Sequence, residues 1–425
     1  MYNYRNKKRF SAVIFCAWFT ALCCAAAAGL VLPQAVSAGG DREAEGSAPG
    51  QGAGTGAGEP AGERRGGEDG TPGPDLFPHK AEICYADGFA VEYHGNFKRV
   101  RILEPWQGSD ETFEYILVQR GTEPPSGYPE AQVIEIPVES IVTMSTTYVT
   151  YLDMLGELDS LVGIDSFLFV MNPEVRKMID EGTVEEVGSG PEVNVEILLE
   201  LSPDIIMAHS IGGEWDTHPK LFEAGLTVAM NAEHMEQTPL GRFEWIKYVS
   251  LFFNKEKAAN GLFDGTEERY QELAGRVAGV GDKPAVLVNA PYQGVWWIPG
   301  GESFQAEFID DAGGDYIWSE NDSPGALMLN IESVYERAAD ADIWINPGMW
   351  ESLEEALAED ERFALFEAFQ NGKVYNNNRR ANKHGGSSYW ETGVANPHVV
   401  LADLIKIFHS ELLPEHEFVY YYRLE

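Results

Sequence analysis

Residues 193–206, VNVEILLELSPDII, decide the fold class of this chain. Val195 to Leu201 has the apolar spacing of a helix, and Asp204 to Ala208 continues as a short apolar strand. A helix followed at once by an apolar strand is the repeating unit of a parallel sheet with crossover helices. The pattern therefore predicts that residues 193–206 lie within an α/β lobe.

The same alternation extends in both directions from this stretch. Around it, the pattern predicts strands at 140–144, 161–164 and 227–230 and helices at 148–158 and 217–224. The alternation restarts later in the chain, with strands at 285–289, 341–345 and 373–375 and helices at 304–312, 331–338, 353–369 and 399–408. Two such lobes agree with the number of domains that the length of the chain favours.

The segment between the lobes has no strand pattern. Residues 239–282 predict a single long connector helix, with Trp245, Ile246 and Val249 on one face. The predicted fold is therefore α/β, with two Rossmann-like lobes at 79–238 and 283–425 joined by that helix.

The start of the first lobe is strand-like and forms an extension. Runs at 89–93 and 97–102 flank a His-Gly-Asn turn, and a similar run follows at 113–118. We therefore expect an N-terminal β-hairpin extension, at residues 79–137, ahead of the α/β part of the lobe.

The N-terminus has the pattern of an export signal. A basic segment precedes an apolar run from Phe10 to Leu32, and Val36-Ser37-Ala38 resembles a cleavage site. Residues 1–38 are thus a signal peptide or, given the length of the apolar run, a retained anchor. Lipidation at Cys23 or Cys24 is a third option, although the preceding residues fit a lipobox poorly. We expect an extracytoplasmic or periplasmic protein, with a disordered Gly-rich linker at residues 39–78.

Charge and cysteine content narrow the range of partners. The chain carries a net charge of −38, and a charge this negative argues against nucleic acid and anionic membrane surfaces as partners. Three of the four cysteines lie in the export segment, so Cys84 has no partner for an intrachain disulfide in the mature chain. We expect Cys84 to be a small buried hydrophobic residue.

Two further stretches repeat the pattern of residues 193–206 or follow it in order. Asn330-Ile331-Glu332 precedes the strand 341–345 as Asn194-Val195-Glu196 precedes the strand 204–208, and Gly372-Lys373-Val374-Tyr375 begins a late strand. Over about residues 139–412 the chain resembles the helical-backbone class of substrate-binding proteins of ABC importers, which carry ferric siderophores, haem and cobalamin. The resemblance covers neither the linker nor residues 79–137.

The resemblance implies a function and its partners. It implies a monomeric extracytoplasmic binding protein without enzymatic activity or cofactor, which captures a metal chelate between its lobes. A ferric siderophore is the first candidate, and cobalamin or haem comes next. It also implies that Glu196 and Glu332 dock onto the membrane subunits, one from each lobe. The alternative is that each carboxylate only stabilises the first turn of its helix.

Ligands of open parallel sheets bind beyond the carboxyl ends of the strands, so the candidate binding residues follow predicted strands. In the first lobe and at the start of the connector they are Ser145, Thr147, Tyr148, Phe167, His209, Trp215 and Arg242; in the second lobe they are Tyr292, Trp296 and Trp297. The aromatic members suit a broad planar or apolar ligand. Adjacent residues of a strand point to opposite faces, so one of Trp296 and Trp297 is expected in the core. Ser145 and Thr147 fit helix capping equally well.

The loop at 376–391 combines cations with aromatic residues. Arg379, Arg380 and Lys383 form a local positive patch in an acidic chain, and Tyr389-Trp390 follows. These side chains fit a site where cations hold carboxylates or phosphate on a ligand rim and the aromatic rings stack. The alternative is a solvated surface loop whose aromatic pair packs onto the last helix.

Three other functions compete with capture of a chelate. His209, His234 and His384, with Glu214, Glu233 or Glu236, offer ligands for bare Zn²⁺, but without tight histidine spacing. A metal-dependent hydrolase or lyase would use the same two-lobed frame, but the chain has no serine-nucleophile elbow, zincin motif or phosphate loop. A surface adhesion module would bind through residues 79–137.

Overall fold

The computed structural model describes residues 74–425. The predicted signal or anchor at 1–38, and the predicted linker at 39–78 except its last five residues, lie outside the described residues. Within the described part, no helix combines the length and the apolar character needed to cross a membrane.

The N-terminal extension is a four-stranded sheet, larger than the predicted hairpin. Its strands are β1 (Phe89–His94), β2 (Phe97–Ile102), β3 (Phe113–Gln119) and β4 (Gln132–Ile136). The first three pair antiparallel, and β4 pairs parallel to β3. The pattern missed β4, which is short and has one solvated face, with exposed Val133 and Glu135 alternating with buried Ile134 and Ile136.

The first lobe is built on a five-stranded parallel sheet. Its strands are β5 (Ile141–Thr143), β6 (Leu161–Ile164), β7 (Glu185–Glu186), β8 (Ile205–Ala208) and β9 (Val228–Met230), in the order β7-β6-β5-β8-β9. Its helices are α1 (Thr146–Leu155), α2 (Pro173–Glu181), α3 (Val195–Leu201) and α4 (His218–Glu223). The prediction missed α2, although Asn172 caps it and proline occupies its first position.

The connector consists of two helices rather than one. Helix α5 (Pro239–Leu251) is buried along its whole length, and α6 (Glu256–Val277) follows after a four-residue break. Within the break Asn254 has a left-handed backbone, with φ of 56°. Asparagine tolerates this conformation without glycine or proline nearby, so the sequence carried no obvious signal for the break.

The second lobe again has a mainly parallel sheet, in the order β13-β10-β15-β16-β17. Its strands are β10 (Ala285–Val288), β13 (Asp315–Tyr316), β15 (Ile343–Ile345), β16 (Val374–Asn376) and β17 (Tyr422–Arg423), of which β17 is antiparallel. A second, antiparallel sheet contains β11 (Pro291–Tyr292), β12 (Val295–Pro299) and β14 (Ala326–Leu329). The α/β fold with two lobes is confirmed.

The helices of the second lobe are α7 (Phe304–Asp311), α8 (Ile331–Ala338), α9 (Leu353–Glu359), α10 (Glu367–Gln370) and α11 (Pro397–Phe408). The single helix predicted at 353–369 is wrong, because Asp360 takes an extended backbone and its side chain caps a short 3₁₀ turn that precedes α10. A buried aromatic cluster of Trp296, Trp344, Phe363 and Phe366 packs beneath the sheet.

Cys84 differs from its prediction. Its side chain is exposed, because its backbone N–H rather than its thiol faces the protein interior. That N–H donates to the buried carboxylate of Glu244, with an N–O distance of 3.0 Å. Cys84 is therefore a surface residue of the extension.

Candidate ligand-binding cleft

One large cleft opens between the two lobes. It encloses about 1760 Å³ of empty space, including its open mouth, and the loops that follow β8, β9, β10, β15 and β16 all contribute to it. Its position at the carboxyl ends of parallel strands is where ligands of such sheets bind.

The lining of the cleft is mainly aromatic, aliphatic and amide. Trp106, Trp297 and Trp390 come from three separate segments of the chain, and Phe304 and Met349 add further apolar surface. Seven amide side chains also line it: Gln107, Gln237, Asn289, Gln305, Asn346, Asn377 and Asn378. Amides offer both hydrogen-bond donors and acceptors without a net charge.

Two of these amides occupy equivalent strand ends. Asn289 follows β10 and Asn346 follows β15, and both have left-handed backbones, with φ of 63° and 56°. The Asn289 side chain donates to the carbonyl of Trp297 over 2.8 Å, which fixes its orientation at the cleft. The prediction missed both Asn289 and Asn346. The available signal was that an asparagine directly follows each of these two apolar strands.

The formal charges at the cleft are few and already engaged. Arg242, on α5, donates twice to the Glu233 carboxylate, with N–O distances of 2.9 and 2.7 Å, and its guanidinium lies 4.3 Å from the centre of the Phe304 ring. Both members of this ion pair are buried. The pair therefore presents little net positive charge to a ligand.

A carboxylate and an imidazole complete this side of the cleft. Glu236 accepts from the Trp245 indole and from the backbone N–H groups of Asp87 and Gly88, while burial raises its pKa. Burial, and to a smaller extent the neighbouring His209, lowers the pKa of His234 to about 3. This imidazole is therefore neutral at physiological pH. The site therefore has no strong cationic centre for an anionic ligand.

The structure brings three predicted binding residues, Arg242, Trp297 and Trp390, into the cleft lining. Trp296 lies in the core with its indole donating to the carbonyl of Val288, as expected for one member of an adjacent pair. Neither Tyr292, on β11, nor the half-exposed Trp215 is part of the lining.

The predicted residues of the first lobe lie outside the lining and have structural contacts. Ser145 caps α1 by accepting from the N–H of Thr147, and the Tyr148 hydroxyl donates to the carbonyl of Asn231. Phe167 is half-buried, and its N–H donates to Glu186. His209 packs against His234, with 6.1 Å between ring centres. Capping explains Ser145, and burial in the core explains Tyr148 on α1.

The loop 376–391 lines the cleft with amide, small and aromatic residues rather than with its cations. Arg379 and Arg380 are exposed and lie outside the lining, to which Ala381, Gly385 and Ser387 belong. Tyr389 is buried against Tyr420 and Tyr421. Trp390 alone of the predicted aromatic pair faces the cleft.

The end of this loop also joins the two lobes. The carbonyls of Trp390 and Glu391 accept from the hydroxyls of Thr147 and Thr150 on α1, over 3.0 and 2.7 Å. The Glu391 carboxylate accepts from the N–H of Met171 over 2.6 Å. Burial raises the pKa of Glu391 to about 7, so a titrating group lies in the contact between lobes.

We expect the Glu391 contact to make folding stability depend on pH. The pKa of Glu391 is about 7 in the folded protein and about 4.5 in the unfolded chain. Protonated Glu391 therefore stabilises the folded state fully below pH 4.5, and this stabilisation is lost as the pH rises through 7. Urea denaturation measures the free energy of unfolding of wild type and Glu391→Gln at pH 4.5 and pH 8. Between these pH values we expect the wild-type value to fall by about 3 kcal/mol more than that of the variant. Glu411→Gln, at an exposed position, is the control. Parallel pH profiles for wild type and Glu391→Gln would contradict this assignment.

The two glutamates expected to dock are equivalent in position. Asn194 caps α3 and Asn330 caps α8 through their side-chain oxygens, which leaves Glu196 and Glu332 exposed in the first turns. Glu332 pairs with Arg362 over 2.6 Å at the surface. The docking assignment stays a prediction, because the structure shows the placement of both carboxylates and not their partner.

Metal ligands do not gather in the described residues. Within residues 74–425 no group of three or more His, Cys, Asp or Glu side chains is arranged to hold a metal ion. The bare-zinc alternative therefore has no supporting cluster in this part of the chain.

The chain is similar to known proteins in sequence and in structure. A family model described as periplasmic binding protein matches residues 141–380. An uncharacterized lipoprotein of Methanocaldococcus jannaschii is 27% identical over 353 residues, which covers 77% of this chain and 82% of the relative.

Two solved structures share the fold. A periplasmic binding protein from Veillonella parvula has a TM-score of 0.52 at 11% identity, covering 76% of this chain and 98% of that one. The structure of an ABC-type Fe³⁺-hydroxamate transport system from Saccharomonospora viridis has a TM-score of 0.50 at 18% identity, covering 64% and 94%. At these identities the likeness concerns the fold.

Proposed function

Because this chain belongs to the periplasmic binding protein family, we propose that it is the substrate-binding protein of an ABC importer. It captures a bulky metal chelate between its lobes and delivers it to the membrane subunits. The observation that carries the proposal is the cleft itself, where strand ends of both lobes and three tryptophans from separate segments line one space. Such a site buries a large ligand with apolar faces.

The charge of the cleft favours an uncharged or cationic chelate. The Arg242 charge is matched by Glu233, Arg379 and Arg380 lie outside the lining, and the other formal charges are the carboxylates of Glu104 and Glu236. A ligand with several carboxylates or catecholates would lose water here without gaining a cationic partner. Uncharged or cationic ferric hydroxamate siderophores are therefore the first candidates, cobalamin with its amide rim is next, and haem with its propionates is disfavoured.

The same contacts support binding without chemistry. Arg242 is held by Glu233, and Glu236 already accepts three N–H groups, so neither is poised to transfer a proton to a ligand. We therefore propose no catalytic step.

An extracytoplasmic location follows from the proposed function. The named lipoprotein relative supports an exported chain that is attached to the outer face of the cytoplasmic membrane. The Gly-rich segment before residue 74 would then separate the binding protein from its anchor.

Fluorescence titration with chelates of different charge tests the proposal. The full chain, purified in mild detergent, is titrated with cationic ferrioxamine B, uncharged ferrichrome and cyanocobalamin, and anionic haemin and ferric enterobactin. We expect saturable tryptophan quenching with a Kd of about 1 μM or lower, which is about −8 kcal/mol, for at least one uncharged or cationic chelate. Failure of all five, or tighter binding of the anionic chelates, would contradict the proposal.

Two variants of the loop 376–391, titrated with the same chelates by calorimetry, test whether binding depends on the loop's tryptophan or on its cations. Trp390→Ala should weaken binding at least about tenfold, because an aromatic contact and its buried area are lost. The double variant Arg379→Ala with Arg380→Ala should stay within about twofold of wild type, since both side chains lie outside the lining. If both proteins lost affinity for the ligand equally, the two arginines would belong to the binding site.

A further inference from the structure

One side of the cleft comes from the N-terminal extension. Glu104, Trp106 and Gln107 line the cleft and belong to the loop 103–112 between β2 and β3, outside the residues 141–380 that match the family. We propose that this loop is a third wall of the ligand site, in which Trp106 stacks on an apolar face of the bound chelate. The inference rests on the proposed function, because it concerns the same cleft and the same ligand.

The Trp106 indole is held in position before any ligand arrives. Its ring stacks on His218, with 5.6 Å between centres and 30° between planes, and lies 6.4 Å from the Phe113 ring. Gly212 gives the indole its space, because a Cβ at that position would lie 2.5 Å from Cδ1 of Trp106. A rigid aromatic surface loses little entropy when a ligand binds to it.

The loop itself is also tied down. The Glu104 carboxylate accepts from the N–H of Gly108 over 3.1 Å, and the N–H of Ser109 donates to the carbonyl of Trp106 over 3.0 Å. These bonds close the loop on itself and direct Glu104, Trp106 and Gln107 to one side. The wall is therefore a built surface rather than a loose connection.

The sheet that carries the loop is fixed to the first lobe and the connector. The Tyr115 hydroxyl on β3 accepts from the N–H of Met230 at the end of β9, over 2.8 Å. Lys98 on β2 forms a buried ion pair with Glu256 at the start of α6. Because both anchors are buried, the third wall keeps a constant position relative to the first lobe.

The chemistry of the wall indicates what it selects. Glu104 and Gln107 flank the indole with a carboxylate and an amide, and both can accept hydrogen bonds from a ligand. The Glu104 carboxylate also repels an anionic rim. Trp106 adds aromatic surface that the two lobes do not provide at this side. The loop thus favours a chelate with an apolar face and an uncharged or cationic edge.

Calorimetry on the full chain in detergent tests the wall, because removing a tryptophan changes the fluorescence signal. With ferrioxamine B, ferrichrome, cyanocobalamin, haemin and ferric enterobactin as probes, Trp106→Ala should weaken the tightest wild-type interaction at least about tenfold. Trp106→Phe should recover most of the loss. Glu104→Gln should narrow the preference for cationic over anionic probes.

The control is Trp215→Ala, which removes a half-exposed tryptophan outside the lining and should leave the Kd within about twofold. Thermal unfolding confirms that each variant is folded at the titration temperature. If wild type binds a probe and Trp106→Ala binds it equally well, the third wall is wrong while the proposed function stands. If wild type binds none of the probes, the proposed function is wrong and the wall is overturned with it.

Discussion

Replacing Glu244 by alanine should cost about 3–5 kcal/mol of unfolding free energy and release residues 84–86 from the connector. This carboxylate is fully buried on α5 and accepts from the N–H groups of Cys84, Tyr85 and Ala86 over 2.7–3.1 Å. It also pairs with buried Lys247 over 2.8 Å. Its loss leaves a buried cation and three N–H groups without their acceptor.

Urea denaturation gives the size of this effect, and limited proteolysis shows where the chain opens. Cleavage of Glu244→Ala should begin in residues 74–90, next to the lost contacts. Glu272→Ala is the matched control, because Glu272 forms an exposed i,i+4 pair with Arg276 on the neighbouring helix and should cost less than about 1 kcal/mol. An unfolding free energy for Glu244→Ala within 1 kcal/mol of wild type would contradict the stabilising role given to this carboxylate.

The double variant Glu196→Ala with Glu332→Ala should reduce transport to background while the Kd for the chelate stays within about twofold. Both carboxylates are exposed at capped helix starts, one in each lobe, and lie outside the cleft lining. The Glu332–Arg362 pair is at the surface, where solvent screens it, so a docking partner can displace it at low cost. Uptake of ⁵⁵Fe-ferrioxamine B or ⁵⁷Co-cyanocobalamin into proteoliposomes with the cognate permease measures the effect.

The control for docking lies on the same two helices. Glu200 and Glu336 are exposed glutamates four residues further along α3 and α8, so Glu200→Ala with Glu336→Ala removes the same charge from the same helices. We expect nearly normal uptake from this protein. Normal uptake with Glu196→Ala and Glu332→Ala would remove both residues from the interface, since charged contacts set the register of docking.

The lobes were predictable because their strands are buried on both faces. The apolar run Asp204 to Ala208 contains β8, and Val195 to Leu201 is helix α3 to the residue. The membership of the periplasmic binding protein family, confirmed by the match over 141–380, was visible in the repeated Asn-apolar-Glu element. Its physical basis is an asparagine cap, which the structure shows at both Asn194 and Asn330.

The breaks in the helices were not predictable from the same patterns. The connector breaks at residues 252–255 and the later helix breaks at Asp360, in both cases without glycine or proline. At Asp360 the side chain accepts from the N–H of Arg362, which competes with helical hydrogen bonding. Apolar periodicity continues across both sites, so it predicted one helix each time.

Much of the candidate site depends on contacts that are distant in sequence. The residues that follow predicted strands included Arg242, Trp297 and Trp390, which line the cleft. They also included residues such as Tyr148, which α1 places in the core. Trp106 was not predicted, because it follows an antiparallel strand of the extension. Ligands are expected beyond the carboxyl ends of parallel strands only. The contribution of Trp106 to the cleft depends on how the extension packs onto the first lobe.

An anomalous difference map would locate the bound metal in the protein directly. Crystals of the protein saturated with the tightest-binding chelate, ferrioxamine B or cyanocobalamin, are measured at the iron or cobalt absorption edge. We expect one metal peak inside the cleft between the lobes, bordered by Trp106, Trp297 and Trp390. A peak outside the cleft, or no peak in saturated crystals, would contradict this prediction.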